Sequence, residues 1–318
     1  MSDIQVKVLR RREEALDIAS FELARPDGGP LPAFSAGSHI DVHVPGGLVR
    51  QYSLCNDGTG NSSYRIAVLR DAASRGGSAA MHDQLNEGDT LTISEPRNHF
   101  TLVHAVRTVL FAGGIGITPL LSMAQRLAAV GADFELHYCA RSASRTAFMQ
   151  EIAASPFAGH VRYHFDDGPA AQKLDLAALI GKYDAQTHLY TCGPTGFIDH
   201  VTGAAKAHGW PQAQMHVEYF AAAAQDTSGD RAFEVQIASS GKRVTVGAKQ
   251  SVTQALAENG IEVMTSCEQG VCGTCITRVL EGQCDHRDMY FTDEEKAKND
   301  QFTPCCSRAK GPLLVLDL

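Results

Sequence analysis

The chain has 318 residues, enough for two to three domains at roughly 100–200 residues each. Its 36 acidic residues against 28 basic ones leave a net charge of −8, which argues against nucleic acid as the main partner. No apolar run is long enough to span a membrane. Nine cysteines behind a charged stretch, residues 1–8, fit free thiols and metal ligands in a reducing cytoplasm better than the disulfides of an exported protein.

Residues 5–102 read as short strands with turns. Residues 38–44 alternate polar and apolar side chains, Pro45-Gly46-Gly47 marks a turn, and 49–54, 64–69 and 90–93 are further strands. Such even spacing predicts a small antiparallel barrel. Two stretches on it carry binding chemistry. In Arg50-Gln51-Tyr52-Ser53-Leu54 alternate residues share a face: Arg50 offers a planar fork to a phosphate, Tyr52 a ring and hydroxyl to a flavin or its ribityl chain, and Ser53 a short hydroxyl on the other face. The plain alternative is an ordinary strand, where these residue types are common. In Arg75-Gly76-Gly77-Ser78, ahead of a helix starting near Ala79, paired glycines let backbone N–H groups reach an anion. The plain alternative there is a flexible turn.

The pattern then changes. Residues 108–112 form an apolar strand, followed by Gly113-Gly114-Ile115-Gly116-Ile117-Thr118-Pro119 and a helix over 120–130, with Thr118 as cap and Pro119 at its first position. A strand, a glycine-rich turn and a helix N-terminus make a pyrophosphate site, although Pro119 stands where the dinucleotide fingerprint has its last glycine. Strands at 134–139, 161–165 and 187–191 alternate with helices around 146–152 and 175–180, the signature of a doubly wound α/β domain. Ligands bind such sheets at the carboxyl ends of their strands. Arg141 stands there for an adenosine ribose or phosphate, Asp166-Asp167 closes the third strand, and Cys192-Gly193-Pro194 closes the last, with Cys192 beside a nicotinamide ring or simply a small buried residue at a tight turn.

A small, polar stretch, 223–230, reads as a linker. Beyond it, 233–237 and 242–246 form a hairpin, Ser251 caps a helix over 252–259, and Cys267, Cys272 and Cys275 follow in C-x4-C-x2-C spacing, with Cys305 and Cys306 far downstream. This is the plant-type spacing for a [2Fe–2S] cluster. A zinc site would want paired C-x2–4-C knuckles, and only one such pair is present. Spacing alone does not choose between Cys305 and Cys306, and Cys284 belongs to no motif.

The three parts call for one another. Nicotinamide delivers two electrons as a hydride, whereas the cluster accepts one at a time. A flavin between them can take two and release one, so the barrel is expected to carry it.

The motifs quoted above, with Cys306-Ser307-Arg308 after the last ligand, resemble the phthalate dioxygenase reductase family, which includes the vanillate O-demethylase reductases. The resemblance covers nearly the whole chain. It implies an FMN-binding antiparallel β-barrel over 1–103, a doubly wound NADH-binding α/β domain over 104–222 and an α+β β-grasp ferredoxin domain over 231–318. It implies FMN, NADH and a [2Fe–2S] cluster as cofactors, a Rieske-type oxygenase as electron acceptor, and a cytoplasmic monomer. It selects Cys305 as the fourth ligand beside Cys267, Cys272 and Cys275. It also implies that Arg50, Gln51, Tyr52 and Ser53 hold the flavin, that Ala67, Val68 and Leu69 line it, and that Arg75, Gly76, Gly77 and Ser78 bind its phosphate. Gly113, Gly114, Gly116, Pro119, Arg141, Gly193 and Pro194 are assigned to the nucleotide, and Thr118, Cys192 and Phe220 to the reacting rings. Relatives often have Lys where this chain has Leu69. Arg141 and Arg145 leave NADPH as an alternative donor.

Overall fold

Alternation along the first strand sets the inside of a sheet: Ile4, Val6 and Val8 are buried while Gln5 and Lys7 face solvent. The computed structural model describes residues 3–58, 60–72, 76–220 and 227–318. Its first elements are β1 (Ile4–Ala15), β2 (Ile18–Ala24), β3 (His39–Val44), β4 (Leu48–Ser53), β5 (Tyr64–Leu69), helix α1 (Gly77–Gln84) and β6 (Thr90–Ile93). The strands form one antiparallel sheet in the order β4-β3-β6-β1-β2-β5. A bridge between Leu54 and Ile66 brings the two end strands together, so the sheet curls towards a barrel. Val6, Val8, Phe21, Ile40 and Ile66 fill it, and each such burial contributes roughly 1.5–3 kcal/mol.

The next elements are β7 (Arg107–Gly113), α2 (Ile117–Ala129), β8 (Asp133–Ala140), α3 (Met149–Ala154), β9 (Val161–Phe165), α4 (Leu176–Ile180), β10 (Thr187–Gly193), α5 (Thr195–Ala207) and β11 (Met215–Tyr219). All strand pairs are parallel, in the order β11-β10-β7-β8-β9. The order reverses between β7 and β10, which makes the crevice beyond their carboxyl ends the switch point where this architecture binds ligands.

Two helix starts differ from the sequence expectation. α2 begins at Ile117, not Leu120, because a short 3-10 turn over Gly114–Gly116 runs straight into it and Gly116 becomes the N-cap. Thr118 therefore lies inside the first turn, donating its hydroxyl to the Ile115 carbonyl at 3.1 Å, and Pro119 occupies the third helical position, where no intrahelical N–H partner is lost. α3 begins at Met149, not near Thr146, because Phe148 adopts φ 62° and breaks the helical path.

Contacts divide the chain into Met1–Phe220, which holds both sheets above, and Ala221–Leu318. The second unit contains β12 (Phe233–Ile237), β13 (Arg243–Val246), α6 (Val252–Glu258), β14 (Thr277–Glu281), β15 (Cys284–Asp285), α7 (Asp293–Lys298), β16 (Gln301–Phe302), β17 (Arg308–Ala309) and β18 (Leu313–Leu316). Its main sheet runs β13-β12-β18-β14-β16, with β12 and β18 parallel. α6 opens on a complete capping box, Ser251 with Gln254, and buries Val252, Ala255 and Leu256 against this sheet. Cys284 packs in the same core, so its place is structural. No described helix is long and apolar enough to cross a membrane. The expected linker lies largely outside the described residues.

Candidate functional site

The phosphate end is built by β4 and α1. A Cβ added to Gly77 would lie 2.8 Å from the Arg50 side chain, so Arg50 crosses directly over the first residue of α1. Gly76, with φ 97°, is the N-cap. Ser78 accepts the Asp71 N–H at 3.2 Å. The cap's left-handed backbone and the missing Cβ at Gly77 open the helix N-terminus beside a guanidinium, which suits a phosphate. Arg75 lies outside the described residues.

On the same strand Tyr52 packs against the barrel core, and burial raises its hydroxyl pKa above the ordinary value. Gln51 has a buried Nε2 with no hydrogen-bond partner, a polar atom left over for a ligand. Ala67 and Val68 are buried and Leu69 half-buried on β5. His82 of α1 meets the Val68 carbonyl at 2.9 Å, which ties helix to strand. These residues fit a flavin with its phosphate at α1.

The nucleotide end is set by close backbone approach. A Cβ on Gly116 would come within 2.1 Å of the Cys192 carbonyl oxygen, so the turns after β7 and β10 touch. Gly193 and Gly113 meet in the same way, with Pro194 and Phe197 against them. Thr118 and Cys192 are fully buried at this junction. Arg141 is exposed at the end of β8. Arg145 is engaged with Asp17 at 3.2 Å. Phe220, 37% exposed, ends the first unit.

Between the two ends lies a contact that sequence reasoning missed. Ser53 donates its hydroxyl to Glu218 Oε2 at 3.3 Å, joining β4 to β11. Glu218 is half-buried, with its carboxyl turned inward onto Ser53. Burial raises its carboxyl to about 8, against a smaller opposing effect of the Ser53 hydrogen bond. Burial and then Glu218 push the Cys192 thiol well above its usual value, so it is a neutral thiol and no thiolate nucleophile. The only trace of Glu218 in the sequence is an acid within the last strand of the sheet, and Glu135 on β8 is another.

In the second unit the cysteine loop turns on two glycines, Gly270 (φ 73°) and Gly273 (φ 71°). A Cβ on Gly270 would strike Cys306 Sγ at 2.4 Å, and one on Gly273 the Tyr290 ring at the same distance. The Gln269 N–H points at Cys267 Sγ (3.4 Å) and the Thr274 N–H at Cys272 Sγ (3.5 Å). The thiols are linked pairwise: Cys267 reaches Cys272 and Cys305, and Cys305 reaches Cys275. Their protons are shared accordingly. Cys267 is held low by hydrogen bonds from Cys272 and Cys305, while Cys272 and Cys305 are raised, each first by Cys267. Among the described residues no three His, Cys, Asp or Glu side chains surround a single point as for one ion. Four thiols joined in pairs, with N–H groups aimed at the sulfurs, suit a two-iron cluster instead. Cys306 is also in reach of Cys305, but its sulfur packs against Thr303 Oγ1 at 3.2 Å.

Comparison with known proteins agrees with this layout. Residues 235–310 match the 2Fe-2S iron-sulfur cluster binding domain. The chain is 57% identical to a vanillate O-demethylase oxidoreductase of Pseudomonas sp. (strain HR199) over 99% of its length and 100% of the relative's. It is 55% identical to the protein of that name from Pseudomonas putida, over 99% and 100%. Among solved structures it resembles phthalate dioxygenase reductase, described as a modular structure for electron transfer from pyridine nucleotides to [2Fe-2S]. That match has a TM-score of 0.80, 40% identity, and coverage of 100% of this chain and 98% of that one. With such identity running from end to end through the same order of barrel, nucleotide sheet and ferredoxin, the chain belongs to the phthalate dioxygenase reductase family, oxidoreductases that supply electrons to oxygenases.

Proposed function

We propose that this chain is the NADH-dependent reductase of a two-component Rieske-type oxygenase, and that its acceptor is an oxygenase of the vanillate O-demethylase kind. The observation that carries the reading is the meeting of Ser53, Cys192 and Glu218 where the barrel strand faces the switch point, in one chain with a four-thiol domain. The names of the two Pseudomonas relatives support the choice of acceptor. The protein acts as a cytoplasmic monomer.

FMN, when bound, would supply the conversion of a two-electron hydride into single electrons. The chain holds it with Arg50, Gly76, Gly77 and Ser78 on the phosphate, Arg75 completing that set, and Gln51, Tyr52, Ser53 and residues 67–69 around the ring. Gly113, Gly114, Gly116, Pro119, Arg141, Gly193 and Pro194 hold NADH. Thr118 and Cys192, both buried, and Phe220 at the end of the first unit would adjoin the reacting rings. Glu218 and Cys192 stay uncharged at neutral pH, so no fixed anion opposes the negative charge that arrives with the hydride. Cys267, Cys272, Cys275 and Cys305 hold the cluster.

NADH is the donor that the family resemblance implies, and Arg141 and Arg145 are the two arginines that a 2′-phosphate would meet. Anaerobic titration tests the whole reading: NADH should bleach the flavin and then the cluster, NADPH far less effectively, and a vanillate O-demethylase oxygenase should then reoxidise the protein faster than other oxygenases. An unchanged visible spectrum on adding NADH would refute the enzyme reading.

A further inference from the structure

Hydride transfer requires the donor carbon and the accepting ring atom to approach within about 3–3.5 Å, and a misplacement of about 1 Å costs roughly a hundredfold in rate. In the reading above the flavin rests on the barrel strands and the nicotinamide on the parallel sheet. The angle between these two parts therefore sets the reaction distance.

Apolar contacts join them. Ile18, Cys55, Ala67 and Phe100 from the barrel side share one core with Leu110, Leu120 and Phe148. Such contacts are cohesive but non-directional. A directional contact is made by Arg65 of β5, two residues before Ala67. Its guanidinium forks onto Glu151 of α3, Nη1 to Oε2 at 2.6 Å and Nη2 to Oε1 at 2.7 Å. The Arg65 side chain is only 21% exposed and lies over the Phe148 ring, 5.1 Å from its centroid. Phe148 itself takes the left-handed backbone that ends the approach to α3. On the barrel side, Arg65 Nη2 also donates to the Cys55 carbonyl at 3.2 Å, and the Arg65 N–H to Asn56 Oδ1 at 2.8 Å. Both acceptors lie just after Ser53. On the other side, Gln125 of α2 donates to Glu151 Oε1 at 3.4 Å, and α2 carries Thr118 and Pro119 in its first turn. Among the described residues the other ion pair between the two parts, Asp17 with Arg145, is a single bond with both side chains about 40% exposed, where ion pairs contribute little.

We infer that Arg65 is a positioning residue for hydride transfer, its two-pronged bond to Glu151 fixing the flavin strands β4 and β5 against α2 and α3. Its side chain is engaged with Glu151, the Cys55 carbonyl and the Phe148 ring, and it acts through them. A planar fork on a carboxylate fixes orientation as well as distance, which a lysine at the same place does not. This inference rests on the proposed function.

The test uses the full chain loaded with FMN and cluster, in the wild type and in Arg65→Ala, Arg65→Lys and Glu151→Gln, mixed anaerobically with saturating NADH. In the variants, flavin bleaching should slow by ten- to a hundredfold, and the long-wavelength charge-transfer absorbance of the NADH–flavin complex should weaken, while flavin content and NADH affinity stay close to wild type. The Arg65→Ala/Glu151→Gln double variant should be no slower than Arg65→Ala alone. Wild-type bleaching kinetics with a full charge-transfer band in the variants overturns the inference. So does a loss that follows flavin content or melting temperature while the rate per bound flavin is unchanged. If Arg65→Ala does not fold, Arg65→Lys and Glu151→Gln decide by the same criteria. Failure of the wild type itself to bleach would instead refute the proposed function.

Discussion

Ser53 and Glu218 are 165 residues apart in sequence and 3.3 Å apart in space. The bond ties the end of barrel strand β4 to β11, the edge strand of the parallel sheet, and it does so through a carboxyl whose raised pKa holds its proton at neutral pH.

Burial raises Glu218 from 4.5 to about 8. In this window the native chain binds a proton that the unfolded chain has released. Stability from this group is fully present below pH 4.5 and is lost as pH rises towards 8. A shift of one pKa unit is worth about 1.4 kcal/mol. Glu218→Gln should flatten the fall in thermal stability between pH 5 and 8, and it should remove any step near pH 8 from the rate of flavin bleaching by NADH. Scanning calorimetry and stopped-flow pH profiles check both; parallel curves for wild type and variant would show that Glu218 is not the titrating group.

Arg50 occupies the space where a Gly77 side chain would stand. Gly77→Ala must displace the guanidinium, so it should resemble Arg50→Ala: a lost charge-assisted bond of about 1.5–3 kcal/mol, or roughly ten- to a hundredfold weaker flavin binding. Flavin retained after dilution and dialysis measures it. Full retention in Arg50→Ala would remove Arg50 from the phosphate site.

Cys305 reaches Cys267 and Cys275, whereas Cys306 Sγ rests on Thr303 behind Gly270. Cys305→Ser should abolish the cluster's visible absorbance and iron content while NADH still bleaches the flavin. Cys306→Ser should keep both iron and absorbance. The reverse result would exchange the two residues' roles.

The local signals of this chain were legible because they are local. Alternation in β1, continuous burial in β7 and the capping box of α6 each follow from neighbouring residues, and the cysteine spacing needs only the loop itself. What escaped depends on distant partners. Glu218 reads as an ordinary strand acid until β11 is placed beside β10 and its side chain meets Ser53. Arg65 gave no signal, since its meaning lies in Glu151, 86 residues away. The starts of α2 and α3 shifted by three residues because a 3-10 turn and one left-handed phenylalanine decided them, and neither has a strong sequence mark.

Gly116 lies under backbone that has nowhere to go. Its own φ of −62° suits any residue, so the demand for glycine is purely steric. An added methyl would lie 2.1 Å from the Cys192 carbonyl oxygen and 2.6 Å from the Gly193 nitrogen, atoms fixed in the hydrogen-bonded end of β10. Gly116→Ala must therefore separate the turns after β7 and β10, at a cost of about 1–3 kcal/mol or more. The separation would also spoil the surface that receives the nucleotide. The expected result is a lowered melting temperature with NADH-driven bleaching largely lost, while dithionite still bleaches both flavin and cluster. Gly159→Ala, where a Cβ meets nothing within 4 Å, should behave as wild type in every respect. Normal NADH kinetics in Gly116→Ala would mean that the contact of these two turns does not shape the nucleotide site.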